Sequence, residues 1–214
     1  MENLIYPTLI VLGLFLTCAY FAYRAISNGR QELLKANQQL ALSNKLLTAL
    51  ASTDELTNID NRRSIMKKLD NTLARSLREN LALTIIMIDV DCFKRVNDTY
   101  GHITGDAVLQ KISERILLQL RDYDHIGRYG GEEFIIILPN SQIEEASTIA
   151  ERIRDCIQAS PIITPSGKIK MTISLGLAQM VAKEASATAF IDRAEKALIE
   201  SKYQGRNRVT VATV

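Results

Sequence analysis

The feature that most limits how this chain can fold is a run of twenty uncharged residues from Leu4 to Tyr23. A helix needs about 20 apolar residues to cross a hydrocarbon core about 30 Å thick, and tyrosines near both ends of the run suit the headgroup region. A cleaved signal peptide is the alternative, but no Lys or Arg precedes the run, which is also longer than an ordinary signal core. The sequence therefore predicts a transmembrane anchor over residues 1–23.

The distribution of charge predicts an orientation for this anchor. All 26 Lys and Arg residues follow position 23, beginning with Arg24, Arg30 and Lys35. Basic residues that flank a span favour the cytoplasmic side, so we expect the rest of the chain in the cytoplasm. Only three residues precede the run, and we expect no extracytoplasmic sensor domain in this chain.

The overall composition excludes several classes of protein. A net charge of +2, from 26 basic and 24 acidic residues, lacks the excess of a nucleic-acid-binding protein, so no nucleic-acid partner is expected. Three scattered cysteines do not make a disulfide framework and favour a reducing compartment. With 47% hydrophobic residues the chain is not disordered.

Residues 24–53 are predicted to form a helical coiled-coil connector. Leucines recur there every seven residues, and asparagine occupies two of the a positions of the same heptads, where it favours a parallel two-stranded pairing. The d positions are Leu33, Leu40 and Leu47, and the a positions are Asn37, Asn44 and Ala51. The alternative is a single amphipathic helix that packs on the following domain.

The rest of the chain alternates predicted helices with predicted strands. Helices are expected near 61–79, 93–98, 106–119, 143–159 and 189–203, and strands near 81–89, 126–129, 133–138, 168–180 and 208–211. Gly130-Gly131 is expected to be a two-residue hairpin turn. The alternation predicts a central sheet covered by helices.

Two carboxylates close the apolar segment IIMIDVD, at Asp89 and Asp91. Unpaired buried charge is costly, so their position favours a hard cation such as Mg²⁺, with Mn²⁺ as an alternative. The other interpretation is that both aspartates cap the helix that follows. His102 and His125 are the two histidines, and they form no zinc-type ligand set with the cysteines.

A second pair of acids, Glu132 and Glu133, follows Gly130-Gly131. Successive strand side chains point to opposite faces, so only one of the two is expected to meet Asp89 unless the turn bends the chain. Glycines without a Cβ would let a substrate backbone or phosphate lie on the turn. A plain hairpin turn with a solvated acid pair is the alternative.

The remaining polar groups suit a nucleotide. Lys94, Lys202 and Arg206 could hold a triphosphate beside a metal ion, although basic residues at a helix end also oppose the helix dipole. Asn97 and Asp106 could read guanine, because a carboxylate accepts from the N1–H and N2–H₂ donors that adenine lacks. The alternative is that Asp98 and Asp106 serve as turn caps, since each precedes or opens a predicted helix.

Taken together, these segments resemble the GGDEF family of diguanylate cyclases. The resemblance runs from Asp54 to about Val209 and includes Gly-Gly-Glu-Glu-Phe at Gly130–Phe134. Its other blocks are Asp54–Thr57, Asn61–Arg63, Asp89–Lys94, Asn97–His102, Gly105-Asp106, Arg128-Tyr129, Leu138-Pro139, Ser174–Gly176, Lys202 and Gly205–Asn207. Cys92 in place of a frequent aromatic residue and Ile199 in place of a common Tyr are mild departures.

The resemblance implies an α+β domain over 54–214, similar to nucleotidyl cyclase and polymerase palm domains, with a central, mainly antiparallel sheet flanked by helices. It also implies an enzyme of a bacterial inner membrane, in which two such domains form a homodimer and join two GTP into cyclic di-GMP with Mg²⁺. The alternative is a catalytically silent domain that binds GTP or cyclic di-GMP and relays a signal.

The resemblance also assigns roles to individual residues. Asp89, the carbonyl of Val90, Glu132 and Glu133 would hold the metal. Glu132 would be the candidate base and Lys94 the stabiliser of transition-state charge. Substrate contacts would come from Asn97, His102, Asp106, Gly130, Gly131, Lys202 and Arg206.

A further short motif resembles the inhibitory product site of the family. Arg121 and Asp124 fit its Arg-x-x-Asp pattern, and Arg152 matches a secondary arginine of that site. Arg on phosphate and Asp on guanine N–H groups would suit cyclic di-GMP. A surface ion pair at a turn is the alternative interpretation.

Overall fold

The computed structural model describes residues 16, 17, 20, 23, 24, 26–40, 43, 52–181 and 186–213. It divides into two compact units, Met1–Leu50 and Ala51–Val214. Most of the predicted span at 4–23 lies outside the described residues, as do Asn44, Leu47 and Ala51 of the predicted connector. Among the residues that are described, no helix has both the length and the apolar character needed to cross a bilayer.

In the first unit, residues 26–40 form a continuous helix, which we name α1. The predicted heptad leucines Leu33 and Leu40 lie on this helix and are 63% and 60% exposed. The helical part of the connector prediction is therefore confirmed over 26–40. The exposed leucines leave its apolar stripe uncovered in the single chain.

The second unit contains helices and strands in alternation, as the sequence predicts. The helices are α2 (Arg62–Glu79), α3 (Phe93–Tyr100), α4 (His102–Leu117), α5 (Ile143–Ala159) and α6 (Ala187–Tyr203). The strands are β1 (Leu83–Val90), β2 (His125–Arg128), β3 (Glu133–Pro139), β4 (Ile162–Thr164), β5 (Gly167–Ile169), β6 (Ile173–Gln179) and β7 (Val209–Val211).

Five of these strands form the central sheet in the order β2-β3-β1-β6-β7. β1 pairs antiparallel with both β3 and β6, and β2 pairs antiparallel with β3, whereas β7 joins β6 in parallel. The predicted α+β fold with a mainly antiparallel sheet is thus confirmed. β1 lies at the centre and all eight of its residues are buried, which is why its sequence is almost wholly apolar.

Alternate residues of β1 supply two separate hydrophobic layers. Ile86 and Ile88 face a layer that includes residues of α4 and α5. Ile85 and Met87 face a layer built with residues of α2 and α6. By the same alternation Asp89 points toward the α2 and α6 side, and this places its carboxylate near the end of α6.

Two local predictions are wrong. The hairpin turn between β2 and β3 spans Tyr129–Glu132 rather than two residues, because the N–H groups of Tyr129 (2.8 Å) and Gly130 (3.2 Å) both donate to the carbonyl of Glu133 and close a wider turn there. The single strand predicted over 168–180 is divided into β5 and β6. The division falls where Asp91 N–H donates to the carbonyl of Thr172 (3.0 Å) and draws the chain toward the end of β1.

The backbones of helix α6 and strand β6 lie in close contact at Gly176. A Cβ atom on Gly176 would lie 2.2 Å from both the carbonyl oxygen of Ala194 and the nitrogen of Leu198. Real Cβ atoms do not come so near to backbone atoms, so only glycine fits at this point of β6. The contact matters for the site because α6 also carries Lys202.

We predict that Gly176→Ala lowers the free energy of unfolding by about 2 kcal/mol or more, because the new methyl group must push α6 away from the sheet. Gly131→Ala is the matched control: its Cβ would meet nothing within 4 Å, so we expect a change below about 1 kcal/mol. Urea unfolding of both variants measures the difference. Equal stability of the two variants would contradict the packing described here.

Candidate active site

The centre of the candidate site is an ion pair between the end of β1 and the end of α6. Lys202 Nζ lies 2.6 Å from Asp89 Oδ2, and the Asp89 side chain is only 10% exposed. Burial raises the pKa of Asp89 above its ordinary value, and the nearby Glu133 and Asp91 add to the increase, although Lys202 opposes them. Because this carboxylate is buried among other acids, a second cation besides Lys202 would stabilise its charged form.

The two glutamates of the turn lie beside Asp89. Glu133 is directly opposite Asp89 in the β1–β3 ladder, so both side chains start on the same face of the sheet. Burial raises the pKa of Glu132, and repulsion from Asp89 raises it further. Because Glu132 lies in the turn and not in β3, strand alternation does not direct it away from Asp89.

In this structure the side chains of these acids are not close enough together to form a metal-binding cluster. In the described part of the chain, no three His, Cys, Asp or Glu side chains are close enough together to hold a metal ion. The predicted metal ligands therefore stay a prediction. What the structure does bring together is a set of mutually repelling carboxylates whose negative charge one ammonium group offsets only in part.

The glycine turn is shaped by two contacts. A Cβ on Gly130 would lie 2.3 Å from Glu133 Oε2, whereas one on Gly131 would meet nothing within 4 Å. The guanidinium of Arg128 donates to the carbonyl of Gly131 from Nε (3.1 Å) and Nη2 (2.7 Å). The outer side of Gly131 is therefore open, while its backbone orientation is fixed.

Arg128 also joins this turn to the start of the domain. Its Nη1 donates to both carboxylate oxygens of Asp54, at 3.1 and 3.2 Å. Burial raises the pKa of Asp54, but hydrogen bonds from Thr57 and Arg128 outweigh that effect and hold it below its ordinary value. Sequence reasoning assigned neither Asp54 nor Arg128 a role, although both belong to the segments that carry the family resemblance.

The predicted guanine-reading residues occupy neighbouring helices. Asn97 lies on α3, and its Oδ1 is buried without a hydrogen-bond partner among the described residues. A Cβ on Gly105 of α4 would lie 1.9 Å from that oxygen. Asp106 is exposed one residue further on, as is His102 at the first position of α4. An unsatisfied buried acceptor requires an explanation, and a ligand that donates to it is one.

The other predicted substrate contacts are surface residues. Lys94 on α3 and Arg206 after α6 are exposed. Arg206 has a left-handed backbone with a φ of 64°, which is unusual for a residue with a side chain. No ion pair among the described residues joins Lys94 or Arg206 to Asp89, whereas Lys202, the third predicted phosphate ligand, contacts it directly.

Asp91 does not join the carboxylates around Asp89. Its Oδ1 accepts from Ser174 Oγ (2.6 Å), and its Oδ2 accepts from Thr172 Oγ1 (2.7 Å) and from the backbone N–H of Asn207 (3.0 Å). Both oxygens are thus engaged within the protein, so our inclusion of Asp91 with Asp89 as a cation ligand is wrong. Helix capping does not explain Asp91 either, since α3 has no side-chain cap.

The predicted product-binding residues lie together on another part of the surface. Arg121 N–H donates to Asp124 Oδ2 (2.9 Å), and Arg152 Nη2 donates to the carbonyl of Gln119 (2.5 Å), two residues before Arg121. The Arg121 guanidinium is already engaged by Glu145 Oε1 (2.6 Å) and by the hydroxyl of Tyr123 (2.7 Å). Sequence reasoning missed Glu145, because it is 24 residues from Arg121.

Comparison with known proteins points to one family. The profile described as "Diguanylate cyclase, GGDEF domain" matches residues 51–208. Diguanylate cyclase A of Treponema denticola is 39% identical over 176 residues, which are 81% of this chain and 47% of that protein. The chain thus spans about half the length of this curated relative, and less of several others.

Solved structures give the same result. The crystal structure of the GGDEF domain of DgcB from Caulobacter crescentus in complex with c-di-GMP is 35% identical, with a TM-score of 0.74 over 77% of this chain and 94% of that one. The structure of the coiled coil and GGDEF domain of DgcB has a TM-score of 0.80 at 30% identity. It covers 87% of this chain and 99% of that one.

The raised pKa of Glu132 predicts a dependence of stability on pH. A carboxyl whose pKa is raised by folding holds its proton more tightly in the folded state, so its contribution to stability is complete below the ordinary pKa of 4.5 and is lost as the pH rises through the folded value. We therefore expect metal-free Glu132→Gln to be more stable than the parent at pH 7, by less than about 1 kcal/mol.

This advantage of Glu132→Gln should disappear below about pH 4, where the parent carboxyl is protonated in both states. Urea unfolding of the two proteins at pH 7 and pH 4 measures it. Glu114→Gln, on the exposed surface of α4, is the matched control and should show no such difference. A variant that is less stable than the parent at pH 7 would contradict the described repulsion.

Proposed function

The chain belongs to the GGDEF domain family, and we propose that it is a diguanylate cyclase that condenses two GTP into cyclic di-GMP with release of two pyrophosphates. The observation that carries the proposal is the juxtaposition of Asp89, Lys202 and the glutamates beside an open glycine turn. Anionic and cationic groups gathered at the end of the central strand suit a nucleotide bound together with a metal ion.

The donor set fits Mg²⁺. Asp89, the carbonyl of Val90, Glu132 and Glu133 offer only oxygen, which hard divalent cations prefer, with Mn²⁺ as an alternative. Burial, and to a lesser extent repulsion between neighbouring acids, raises the pKa of Asp89 and Glu132, and this supports the assignment, because a bound cation would stabilise both carboxylates in their charged form. When bound, the metal would activate the ribose 3′-hydroxyl and neutralise charge on the leaving pyrophosphate.

The other residues of the site would orient GTP. Asn97 and Asp106 would accept hydrogen bonds from guanine, with His102 nearby, and Lys202 would exchange part of its contact with Asp89 for the triphosphate. Lys94 and Arg206 would supply further positive charge to the phosphates, Lys94 at the transition state. Gly130 and Gly131 would let the nucleotide lie on the turn, whose carbonyl at Gly131 is held by Arg128.

The reaction requires two domains. Each 3′-hydroxyl oxygen would form a bond to the α-phosphorus of the other GTP while the bond from that phosphorus to pyrophosphate breaks. The proton would pass from the hydroxyl to Glu132, the candidate base. Because one domain would hold one GTP, catalysis depends on a homodimer.

The connector gives this dimer a physical basis. Its leucines Leu33 and Leu40 are exposed in the single chain, as the seam of an unpaired coiled coil would be. The structure of DgcB that resembles this chain over 87% of its length contains a coiled coil as well as a GGDEF domain. Pairing of α1 from two chains would raise the effective concentration of one catalytic domain near the other.

The proposal includes a membrane location. The twenty uncharged residues at 4–23, followed by basic residues, support a single-pass anchor in the bacterial inner membrane with the catalytic domain in the cytoplasm. The division of the chain would then be an anchor at 1–23, a connector at 24–53 and the GGDEF domain at 54–214.

We predict that Glu132→Ala and Glu133→Ala each lower the rate of cyclic di-GMP formation from GTP and Mg²⁺ by at least about a hundredfold, because each removes a metal-binding carboxylate. Initial rates measured by chromatography test this. Glu114→Ala, an exposed acid on α4, is the control and should retain the parent rate. Variants with near-parent rates would overturn the assignment of these glutamates, and a parent chain that binds GTP as a dimer without product would favour the silent relay module.

A second part of the proposal is inhibition by the product. One solved relative is a complex with c-di-GMP, and in this chain Arg121, Asp124 and Arg152 would bind the product. In the free protein, Glu145 engages the guanidinium that would bind a phosphate of the product. Product binding must therefore displace an internal carboxylate.

We predict that Glu145→Gln lowers the cyclic di-GMP concentration needed for half-inhibition by about two- to fivefold, since an exposed ion pair is worth up to about 1 kcal/mol. Initial rates at increasing product concentration measure the effect. Glu144→Gln removes the same charge from the adjacent exposed position and should have a smaller effect. Equal shifts of the half-inhibition concentration in the two variants would show that Glu145 acts only through net charge and not through its contact with Arg121.

A further inference from the structure

One buried charge near the site has no part in the mechanism above. Asp91 is 7% exposed, and its two carboxylate oxygens accept three hydrogen bonds, from Ser174, Thr172 and the backbone N–H of Asn207. Two of the donors lie at the start of β6 or just before it. The third lies 116 residues further along the chain, in the segment after α6.

That third donor belongs to a strained segment. Three consecutive residues, Gly205, Arg206 and Asn207, have positive φ angles of 112°, 64° and 47°. Each left-handed residue with a side chain costs about 1 kcal/mol or more, so Arg206 and Asn207 keep this conformation only if their surroundings impose it.

The contacts that impose it converge on Asn207. In addition to its N–H bond to Asp91, its Oδ1 accepts from Arg154 Nη1 (3.2 Å) and its Nδ2 donates to Gln158 Oε1 (2.9 Å). Arg206 itself is anchored on its other side, where its N–H donates to the carbonyl of Ser201 (3.0 Å). The exposed guanidinium of Arg206 thus projects from a backbone that is fixed immediately before and after it.

We propose that Asp91 is a positioning residue for Arg206: by holding the N–H of Asn207, it fixes the left-handed turn that directs the Arg206 guanidinium toward the triphosphate of GTP. The inference rests on the proposed function, which makes Arg206 a triphosphate ligand. Asp91 touches neither the nucleotide nor the metal. The negative charge of Asp91, taken alone, would weaken the binding of a polyanion. Its hydrogen bond to Asn207 would strengthen that binding, because it orients Arg206.

These two effects have opposite signs, so a binding experiment separates them. Asp91→Ala removes both the charge and the hydrogen-bond acceptor, whereas the amide oxygen of Asn could still accept from the N–H of Asn207. Asp91→Ala should tighten the binding of a triphosphate if only electrostatics matters, and should weaken it if Asp91 positions Arg206. The suitable probe is guanosine 5′-(α,β-methylene)triphosphate, in which the bond broken by the reaction is replaced by carbon. Guanosine, which has no phosphate, is the control ligand.

In the full chain with Mg²⁺, we expect Asp91→Ala to weaken binding of the methylene analogue by about five- to tenfold, as for loss of one well-oriented charged contact. Guanosine binding should change less than twofold. In an Arg206→Ala background, Asp91→Ala should cause little further loss, because the two residues act through one contact. Asp70→Ala removes the same charge from the exposed surface of α2 and should leave both affinities unchanged.

Several results would overturn the inference. Tighter or unchanged binding of the analogue by Asp91→Ala would show that charge dominates, and an equal loss in the Arg206→Ala background would show a general effect on the fold. If Asp91→Ala does not fold, Thr172→Val removes another donor to the same Asp91 oxygen that holds Asn207, without a change of charge, and should give a smaller loss with the same dependence on Arg206. A parent chain that fails to bind the analogue would instead contradict the proposed function.

Discussion

The structure of the site depends on one electrostatic constraint, a carboxylate at the buried end of the central strand. Asp89 occupies the next inward-facing position after Ile85 and Met87, so its charge is directed into the layer between the sheet and α6. Such a charge must be paired, and Lys202 pairs with it at 2.6 Å. The pairing requires α6 to lie close to the sheet, which the missing side chain of Gly176 permits.

Near this pair, charged side chains hold two backbone segments in place, the glycine turn and the segment after α6. The glycine turn is held by Arg128, which also binds Asp54. The segment after α6 is held by Asp91 through Asn207. Arg128 joins the turn to a residue 74 positions earlier, and Asp91 holds a residue 116 positions later, so each side chain ties a loop backbone to a distant part of the chain. The site therefore combines the end of a rigid central strand with two loops whose backbones are held by charged side chains. This arrangement suits precise positioning of a phosphate chain.

The sequence predicted the parts of the molecule that local patterns determine. The bounds of α5 were exact, because an apolar helical stripe is flanked there by clear stop signals, and β1 was located by its apolar run. Patterns could not predict contacts between distant segments. The Lys202–Asp89 pair and the anchoring of Asn207 by Asp91 each join residues more than 100 positions apart. The width of the glycine turn was also missed, because the sequence pattern does not show the backbone hydrogen bonds from Tyr129 and Gly130 to the carbonyl of Glu133 that close the turn.

The central claim is that this cluster of carboxylates and cations joins two GTP molecules. The most direct measurement is the amount of cyclic di-GMP and pyrophosphate that the full chain forms from GTP with Mg²⁺, with EDTA added as the control. The account predicts one cyclic di-GMP and two pyrophosphates for every two GTP consumed, and no product in EDTA. Conversion of GTP to GDP and phosphate, or GTP binding by a dimer without pyrophosphate release, would contradict it.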